Sequence, residues 1–138
     1  MKEKKIPLKK LFHQCWDIMS YCVRFGNADA KGFVKCVTCG KKKHWKQMNA
    51  GHCIHRVLDF DEININPQCR RCNKFLHGNL ETYTMYLLLT YGEQALKDLH
   101  ERANIAKEKK QKYSRKELEA ILLRLEKRAE FVSNGEYK

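Results

Sequence analysis

The chain has 138 residues, of which 43% are hydrophobic and 32% charged, so it is long enough for one domain with an appended helical region, and its composition excludes a largely disordered protein. Its 28 Lys and Arg against 16 Asp and Glu give a formal net charge of +12, which favours a nucleic-acid partner over a membrane surface. It has neither a signal peptide nor an apolar run long enough to cross a bilayer, so we expect an intracellular, cytoplasmic protein.

The first predicted element is an amphipathic helix over residues 9–25, with Gly26-Asn27 as a stop signal. Apolar residues recur along it at helical spacing, so one face should be buried. These residues are Leu11, Phe12, Cys15, Met19, Cys22 and Val23.

Residues 32–47 carry a Cys-x-x-Cys turn, Cys36-Val37-Thr38-Cys39, which we predict to be a knuckle between two short strands. Several lysines follow it, and no acidic residue occurs from Lys31 through Arg56. These lysines could contact phosphates or could belong to a solvated loop. They are Lys41, Lys42, Lys43 and Lys46.

The middle of the chain predicts a strand near residues 48–55 that presents His52, followed by a loop through Glu62. Asn66-Pro67 then has the form of an N-cap followed by proline at the first helical position. We therefore predict that a helix begins there and carries Cys69, Cys72, Asn73 and His77.

The C-terminal half predicts three more helices. One runs over residues 80–91 between Asn79 as a cap and Gly92 as a stop, and another runs from residue 93 to 103 or beyond. Ser114 to Glu117 has the form of a capping box and opens the last helix, while we expect residues 133–138 to be frayed. The last helix has an apolar face that either packs on its own domain, which we favour, or pairs between subunits. This face consists of Leu118, Ile121, Leu122 and Leu125.

Two Cys-x-x-Cys pairs, separated by 29 residues, predict a structural zinc site. Two such turns supply four thiolates, which fill tetrahedral coordination and leave no position open for chemistry. Iron can occupy such a site, and a redox role would instead need a single pair near a βαβ pattern, so zinc is the expectation. The ligands are Cys36, Cys39, Cys69 and Cys72, whereas Cys15, Cys22 and Cys53 are expected to be buried as small apolar residues.

The order of these residues resembles a known enzyme family. A cysteine pair, His52, Asn64, a second cysteine pair and Asn73 follow one another as in the HNH (ββα-metal, or His-Me finger) endonucleases whose finger is held by two Cys-x-x-Cys pairs, phage endonuclease VII among them. The segments 50–52, 60–73 and 78–83 are more closely similar to the phage NinG/Rap recombination-protein family. The resemblance is strong over residues 36–83 and weaker in the flanking helices.

This resemblance implies an α+β, mostly helical fold in which a zinc-pinned ββα-metal finger is embedded between flanking helices. The implied divisions are an N-terminal helix at 1–30, a nuclease core at 31–79 and a basic helical region at 80–138. In the core, the zinc would clamp a hairpin to a helix so that the imidazole of His52 faces the amide oxygen of Asn73.

The resemblance also implies roles for individual residues. His52 would be the general base, and Asn64 would hold the strand and loop that carry it. Asn73 would coordinate a catalytic Mg²⁺ or Mn²⁺ ion, with His77 as a further ligand on the same helical face. The nucleic-acid-binding residues would be Arg70, Arg71 and Lys74 on this helix, together with Lys41, Lys42, Lys43 and Arg56.

One position departs from the pattern of many HNH enzymes. They carry Asp or His as a metal ligand immediately before the base, and this chain has Gly51 there. We favour His55 as the replacement, although regular strand alternation would place it on the face opposite His52. The remaining candidates are Asn49, Asp59, Asp61 and Glu62.

Two classes of function are consistent with the sequence. The first, implied by the resemblance, is a metal-dependent DNA endonuclease, a hydrolase that cuts branched recombination intermediates such as Holliday junctions in the cytoplasm of a bacterial host. Cutting two symmetric strands would favour a homodimer. The alternative is a non-catalytic zinc-ribbon module that binds nucleic acid through its basic surface.

Overall fold

The computed structural model describes residues 4–135, and helices make up most of them. In chain order, two small antiparallel sheets lie between the first helix and the last three. The fold is therefore α+β and mostly helical, as predicted. The helices are α1 (Leu8–Phe25), α2 (Leu80–Tyr91), α3 (Glu93–Glu108) and α4 (Arg115–Ser133). The strands are β1 (Phe33–Lys35), β2 (Lys42–His44), β3 (Asn49–His52) and β4 (Ile65–Gln68), paired β1 with β2 and β3 with β4.

The first and last helices pack against each other. The buried side chains Cys15 and Met19 of α1 and Leu118 and Leu125 of α4 share one apolar core with Ile65 of β4. The predicted apolar face of the last helix is therefore satisfied within the chain, because an amphipathic helix gains most of its stability from burying that face. The division of the chain at residues 30 and 79 stays a prediction.

The ends of α4 are fixed in different ways. At the start, the Ser114 hydroxyl accepts a hydrogen bond from the Glu117 backbone and the Glu117 carboxylate accepts one from the Ser114 backbone, so the predicted capping box is present. The expectation of fraying from residue 133 was wrong for Ser133, because its hydroxyl lies 2.7 Å from the Tyr21 hydroxyl and Val132 is fully buried. Residues 136–138 lie outside the described part of the chain.

A second core joins α2 and α3 to the loop after β3. Tyr83 and Leu87 of α2 and Leu99 of α3 are fully buried, and they pack with Cys53 and Leu58 from that loop. Like Cys53, Cys15 and Cys22 are buried thiols, as expected. Apolar packing against two helices, rather than hydrogen bonding within a sheet, thus keeps this loop in place.

The segment at Asn66-Pro67 is a strand, so the predicted helix start there was wrong. Residues 65–68 pair antiparallel with β3, with Gly51 opposite Asn66 and His52 opposite Ile65. The Asn66 side chain donates to the Ile63 carbonyl instead of capping a helix. A residue before proline is disfavoured in the α region, and here the extended conformation is taken up by the sheet.

The helical segment after the second cysteine pair is short. It runs over Arg71–Phe75 as a π-helical turn, and His77, Gly78 and Asn79 then all have positive φ, at 51°, 93° and 50°. The expectation that His77 shares a helical face with Asn73 was therefore wrong. Asn79 precedes α2 as predicted, but it caps the helix without a side-chain hydrogen bond.

No helix within residues 4–135 combines the length and the apolar character needed to span a bilayer.

Truncating α4 at its buried face should destabilise the protein. We expect Leu125→Ala, at a side chain 1% exposed, to lower the free energy of unfolding by about 2–5 kcal/mol through lost burial and a cavity. Leu123→Ala on the same helix, 57% exposed, should cost less than about 0.5 kcal/mol. Urea unfolding followed by circular dichroism measures both, and equal losses would contradict the packing of α4 on α1.

Candidate metal centre and active site

The two Cys-x-x-Cys pairs meet in one cluster. The sulfurs of Cys36, Cys39, Cys69 and Cys72 all lie within 4.8 Å of one another. The Cys39 and Cys69 sulfurs are 3.7 Å apart, which matches the edge of about 3.8 Å that a tetrahedron with Zn–S bonds of about 2.3 Å requires. The four thiols can therefore hold a structural zinc ion.

Polar groups around the cluster are placed to support thiolates. The Thr38 hydroxyl lies 3.2 Å from the Cys36 sulfur, and the Cys72 backbone N–H donates to the Cys69 sulfur. The Asn79 side-chain amide donates to the Cys72 sulfur, which is the contact it makes in place of a helix cap. Donors of this kind orient ligands and stabilise their negative charge.

The surroundings of the cluster act in opposite directions on the pKa values of its cysteines. Burial acts to raise the pKa of Cys36, but hydrogen bonds from Thr38 and the backbone outweigh it and lower that pKa. Burial and the neighbouring sulfurs raise the pKa values of Cys39 and Cys72. A divalent cation bound by the four cysteines would stabilise all of them as thiolates.

Gln68 connects the cysteine cluster to β3. Its side chain is fully buried, and its amide nitrogen donates to the Thr38 hydroxyl at 3.2 Å and to the Gly78 carbonyl at 2.8 Å. Its amide oxygen lies against Gly51, where an added Cβ atom would come within 2.0 Å of it. Position 51 must therefore be glycine as long as Gln68 keeps this conformation.

Asn73 reaches the same place from the π-helical turn. Its side-chain oxygen is 3.0 Å from the position that a Cβ atom of Gly51 would take. The Gln68 oxygen, buried beside it, has no hydrogen-bond partner among the described residues. Two amide oxygens thus converge on the backbone of the residue immediately before His52.

His52 is paired with an acidic residue. Its Nε2 atom lies 2.9 Å from Oδ1 of Asp59, and both side chains are 21% exposed. Its ring stacks on Trp16 of α1, with centroids 5.3 Å apart and planes 23° apart. The other carboxylate oxygen of Asp59 accepts a hydrogen bond from the Tyr113 hydroxyl at 3.3 Å. The imidazole is thus fixed in position on two sides.

The pairing with Asp59 determines which ring nitrogen of His52 can act as a base. In a neutral imidazole, the nitrogen beside a carboxylate carries the proton and donates it, so Nε2 is the donor and Nδ1 keeps a free lone pair. Burial and the Asp59 charge raise the pKa of Tyr113, which keeps that hydroxyl protonated as a donor to Asp59. The arrangement resembles other His–carboxylate pairs in which the acid orients the ring.

The expectation that His52 faces the Asn73 oxygen was wrong, although the two residues are brought close. Successive residues of an extended strand point to opposite faces. Gly51 faces Gln68 and Asn73, whereas His52 faces α1, on the same side as Ala50 and Ile65. The amide oxygen and the imidazole therefore lie on either side of the end of β3.

Asn64 fastens the loop that follows His52. Its fully buried side chain accepts from the Ile54 backbone N–H at 2.7 Å and donates to the carbonyls of Ile54 and Val57. Tyr83 adds a second fastening, since its hydroxyl donates to the Gly51 carbonyl at 2.7 Å and burial raises its pKa. These bonds fix the backbone on both sides of His52.

The other candidates for a metal ligand divide into two groups. Asp61 is bound by Arg102 at 2.9 Å, Glu62 pairs with Arg124, and Asp59 is committed to His52. His55 belongs to a turn rather than a strand, so strand alternation does not govern it. It lies against Gly78, and burial lowers its pKa, helped by the charges of His52, Arg56 and His77.

Asn49 stays a candidate from the sequence alone: the buried atom of its side chain that lacks a hydrogen-bond partner among the described residues is the amide nitrogen, a donor that does not ligate a cation.

The expected nucleic-acid-binding residues lie near the cysteine cluster. Lys41, Lys43 and Arg71 line one groove that also contains Cys39 and Leu76. The remaining basic side chains are exposed, and they are Lys42, Arg56, Arg70 and Lys74.

Sequence reasoning missed four side chains of this site. Trp16 and Tyr113 come from segments far from His52 in the chain, and nothing in their surroundings marks them. The sequence offers Asp59 as a candidate metal ligand and does not indicate its pairing with His52, and it does not mark Gln68 as a site residue. Their roles depend on the tertiary packing of α1 and of the segment before α4.

The family model and the curated relatives that match this chain all belong to one family. A family model described as the bacteriophage lambda NinG protein matches residues 1–133. The curated relatives include Protein ninG of Escherichia phage 933W, 28% identical over 115 residues, which are 75% of this chain and 53% of that protein. Protein ninG of Escherichia phage lambda is 27% identical, over 75% of this chain and 52% of its own length. Protein ninG of Salmonella phage P22 is 28% identical, over 72% and 50%.

The chain thus spans about half the length of the curated relatives it matches. No solved structure matches it.

The purified chain should contain zinc at close to one ion per molecule. Cys69→Ser should lose the ion and lower the melting temperature, because metal binding contributes directly to the folding of such a site. Cys53→Ser, at a buried cysteine outside the cluster, should keep the full zinc content. Atomic emission and thermal denaturation measure these outcomes, and a Cys69→Ser protein with unchanged zinc would contradict the site.

The contact between Gly51 and Gln68 should appear as a coupling between two substitutions. We expect Gly51→Ala to cost about 1–3 kcal/mol of unfolding free energy by overpacking against the Gln68 oxygen. In a Gln68→Ala background the same change should cost much less, because the clashing atom is gone. Urea unfolding of the four proteins tests this, and purely additive losses would show that the two side chains do not compete for space.

Proposed function

The chain belongs to the bacteriophage lambda NinG family, and we propose that it is a metal-dependent DNA endonuclease of the HNH (His-Me finger) type. The observation that carries the proposal is the His52–Asp59 pair at the end of β3, next to the residue against which the Asn73 oxygen is held. The order of elements also supports it, because the β3–β4 hairpin is followed by a helical turn and the proposed class has two strands followed by a helix.

His52 is the general base in this proposal. Its Nδ1 atom accepts a proton from a water molecule as the water oxygen bonds to phosphorus, while Nε2 stays bonded to Asp59. The bond from phosphorus to the 3′ oxygen breaks in the same displacement, and the leaving 3′ oxygen takes a proton from solvent. The carboxylate stabilises the imidazolium that forms, and the Trp16 ring limits how far the imidazole can rotate. Asn64 and Tyr83 keep the strand end and loop in place during this step.

The catalytic cation of this proposal lies near Gly51, where the side chains offer oxygen atoms. Mg²⁺ and Mn²⁺ prefer oxygen ligands, and Asn73 presents an amide oxygen next to the unpartnered oxygen of Gln68. When bound, such an ion would neutralise charge on the phosphate and on the leaving 3′ oxygen. The Gln68 oxygen occupies the space in which many HNH enzymes have the acidic or histidine side chain that Gly51 lacks.

The opposite placement of His52 and Asn73 is compatible with this chemistry. Hydrolysis of a phosphodiester passes through an in-line displacement, with the attacking water on one side of phosphorus and the leaving oxygen on the other. A phosphate at the end of β3 would have the base on one side and the amide oxygens on the other. In this proposal, the end of β3 separates the group that activates the water from the groups that bind the cation near the leaving oxygen.

Charge supports nucleic acid as the substrate. The formal net charge is +12, and the groove beside the cysteine cluster is lined by Lys41, Lys43 and Arg71. A preference for branched recombination intermediates such as Holliday junctions, action as a homodimer and a location in the host cytoplasm follow from the resemblance to NinG/Rap and HNH resolvases. His77 as a further metal ligand remains part of the proposal, reached from the turn rather than from a helix.

Removing the base should abolish cleavage without abolishing binding. We expect His52→Ala to lower the rate of Mg²⁺-dependent cleavage of a labelled four-way junction by about 10²–10⁴-fold, because proton transfer by a positioned base contributes that much. Asp59→Asn should cause a smaller loss, since the imidazole remains but its tautomer is no longer fixed. Cleavage gels and gel-shift titrations in EDTA give the two readouts.

His100→Ala, at an exposed histidine on α3, is the matched control and should cut at the rate of the unmodified protein. Linear duplex and single-stranded DNA tested alongside the junction would reveal a broader duplex or nicking activity. Binding without cleavage in the presence of any divalent ion would overturn the endonuclease and support the non-catalytic zinc-ribbon module instead.

A further inference from the structure

The π-helical turn that carries Asn73 ends in an exposed apolar tip. Phe75 is 68% exposed and Leu76 is 44% exposed, and they lie two and three residues beyond Asn73. Exposing a phenyl ring to water costs free energy that burial against a partner would recover. This tip is therefore a surface that gains from contact with something apolar.

The charge around the tip identifies the kind of partner. Arg70, Arg71 and Lys74 are exposed on the same turn, and the Arg70 guanidinium lies 5.8 Å from the centre of the Phe75 ring. No acidic residue occurs from residue 63 through residue 80. An apolar ring surrounded by cations matches nucleic acid, in which a stackable base is flanked by phosphates.

The turn is held firmly enough to present the ring in one place. Cys69 and Cys72 anchor it to the cysteine cluster. Backbone bonds from Leu76 to Arg71 and from Gly78 to Cys72, both 2.8 Å, close its far end. A side chain on such a support can act as a wedge, since little conformational freedom is lost when it inserts.

We propose that Phe75, with Leu76 beside it, stacks on a nucleobase that is unstacked at a branch point, while Arg70, Arg71 and Lys74 bind the flanking phosphates. Apolar side chains of other DNA-binding proteins insert between base steps in this way. Opening a base step costs less where stacking or pairing is already weakened, and we expect this of bases at a branch. This inference rests on the proposed action on branched DNA and assigns a base-stacking site two residues from the candidate metal ligand.

The test uses a four-way junction with 2-aminopurine at the branch, titrated with the zinc-loaded full chain in Mg²⁺-free buffer so that no strand is cut. The emission of 2-aminopurine rises when the base loses its stacked neighbours. We expect the unmodified protein to raise it, Phe75→Ala to remove the rise and weaken binding by about 5- to 100-fold, and Phe75→Tyr to retain both. Leu89→Ala, at a leucine 79% exposed on α2, is the control for loss of an exposed apolar side chain and should behave as the unmodified protein.

The outcomes separate this inference from the endonuclease proposal. If Phe75→Ala kept the emission change and the affinity, the stacking site would be overturned, whether or not the protein cuts DNA. A Phe75-dependent emission change in a protein that never cuts, even with divalent ions, would support the stacking site and overturn the nuclease. No binding to DNA of any shape would overturn both.

Discussion

The meeting of four cysteine sulfurs is the constraint on which the rest of the structure depends. The buried residues around them form a small core of Ala28, Val34 and Met48 with three of the cysteines, Cys36, Cys69 and Cys72. Strands as short as β1 and β2, with three residues each, cannot bury enough apolar surface to fold independently. A metal ion bound by the thiolates would supply the missing stabilisation and, in the same step, fix the turn that carries Asn73.

The candidate site lies on both faces of the β3–β4 hairpin, and a different part of the protein holds the side chains on each face. On one face, Gln68 links the strand to the cysteine cluster through Thr38, and Asn73 reaches the same spot from the π-helical turn. On the other face, His52 rests on α1 and is paired with Asp59, which Tyr113 holds from the segment before α4. The amide oxygens thus depend on the cysteine cluster, and the imidazole depends on the packing of the helices.

Local patterns in the sequence were enough to predict the four α-helices and the four-cysteine cluster. The apolar period of α1, the glycine after α2 and the capping box of α4 each express short-range physics, and ligand spacing does the same for the cysteines. The pattern failed at Asn66-Pro67, where a helix-start signal was overridden by pairing with β3. It also failed to find that Trp16 stacks on His52 and that Tyr113 donates to Asp59, because both contacts arise only through tertiary packing.

The position of Tyr113 makes the arrangement around His52 sensitive to cleavage of the segment before α4. The lysine-rich connection between α3 and α4, residues 109–114, touches the loop after β3 twice, through Gln111 to the Leu58 backbone and through Tyr113 to Asp59. A protease that severs this exposed connection would release both tethers while leaving every sulfur where it was. Zinc bound by the four cysteines would then be retained while the Tyr113 contact to Asp59, the partner of His52, was lost, so zinc content alone is a poor measure of an intact preparation.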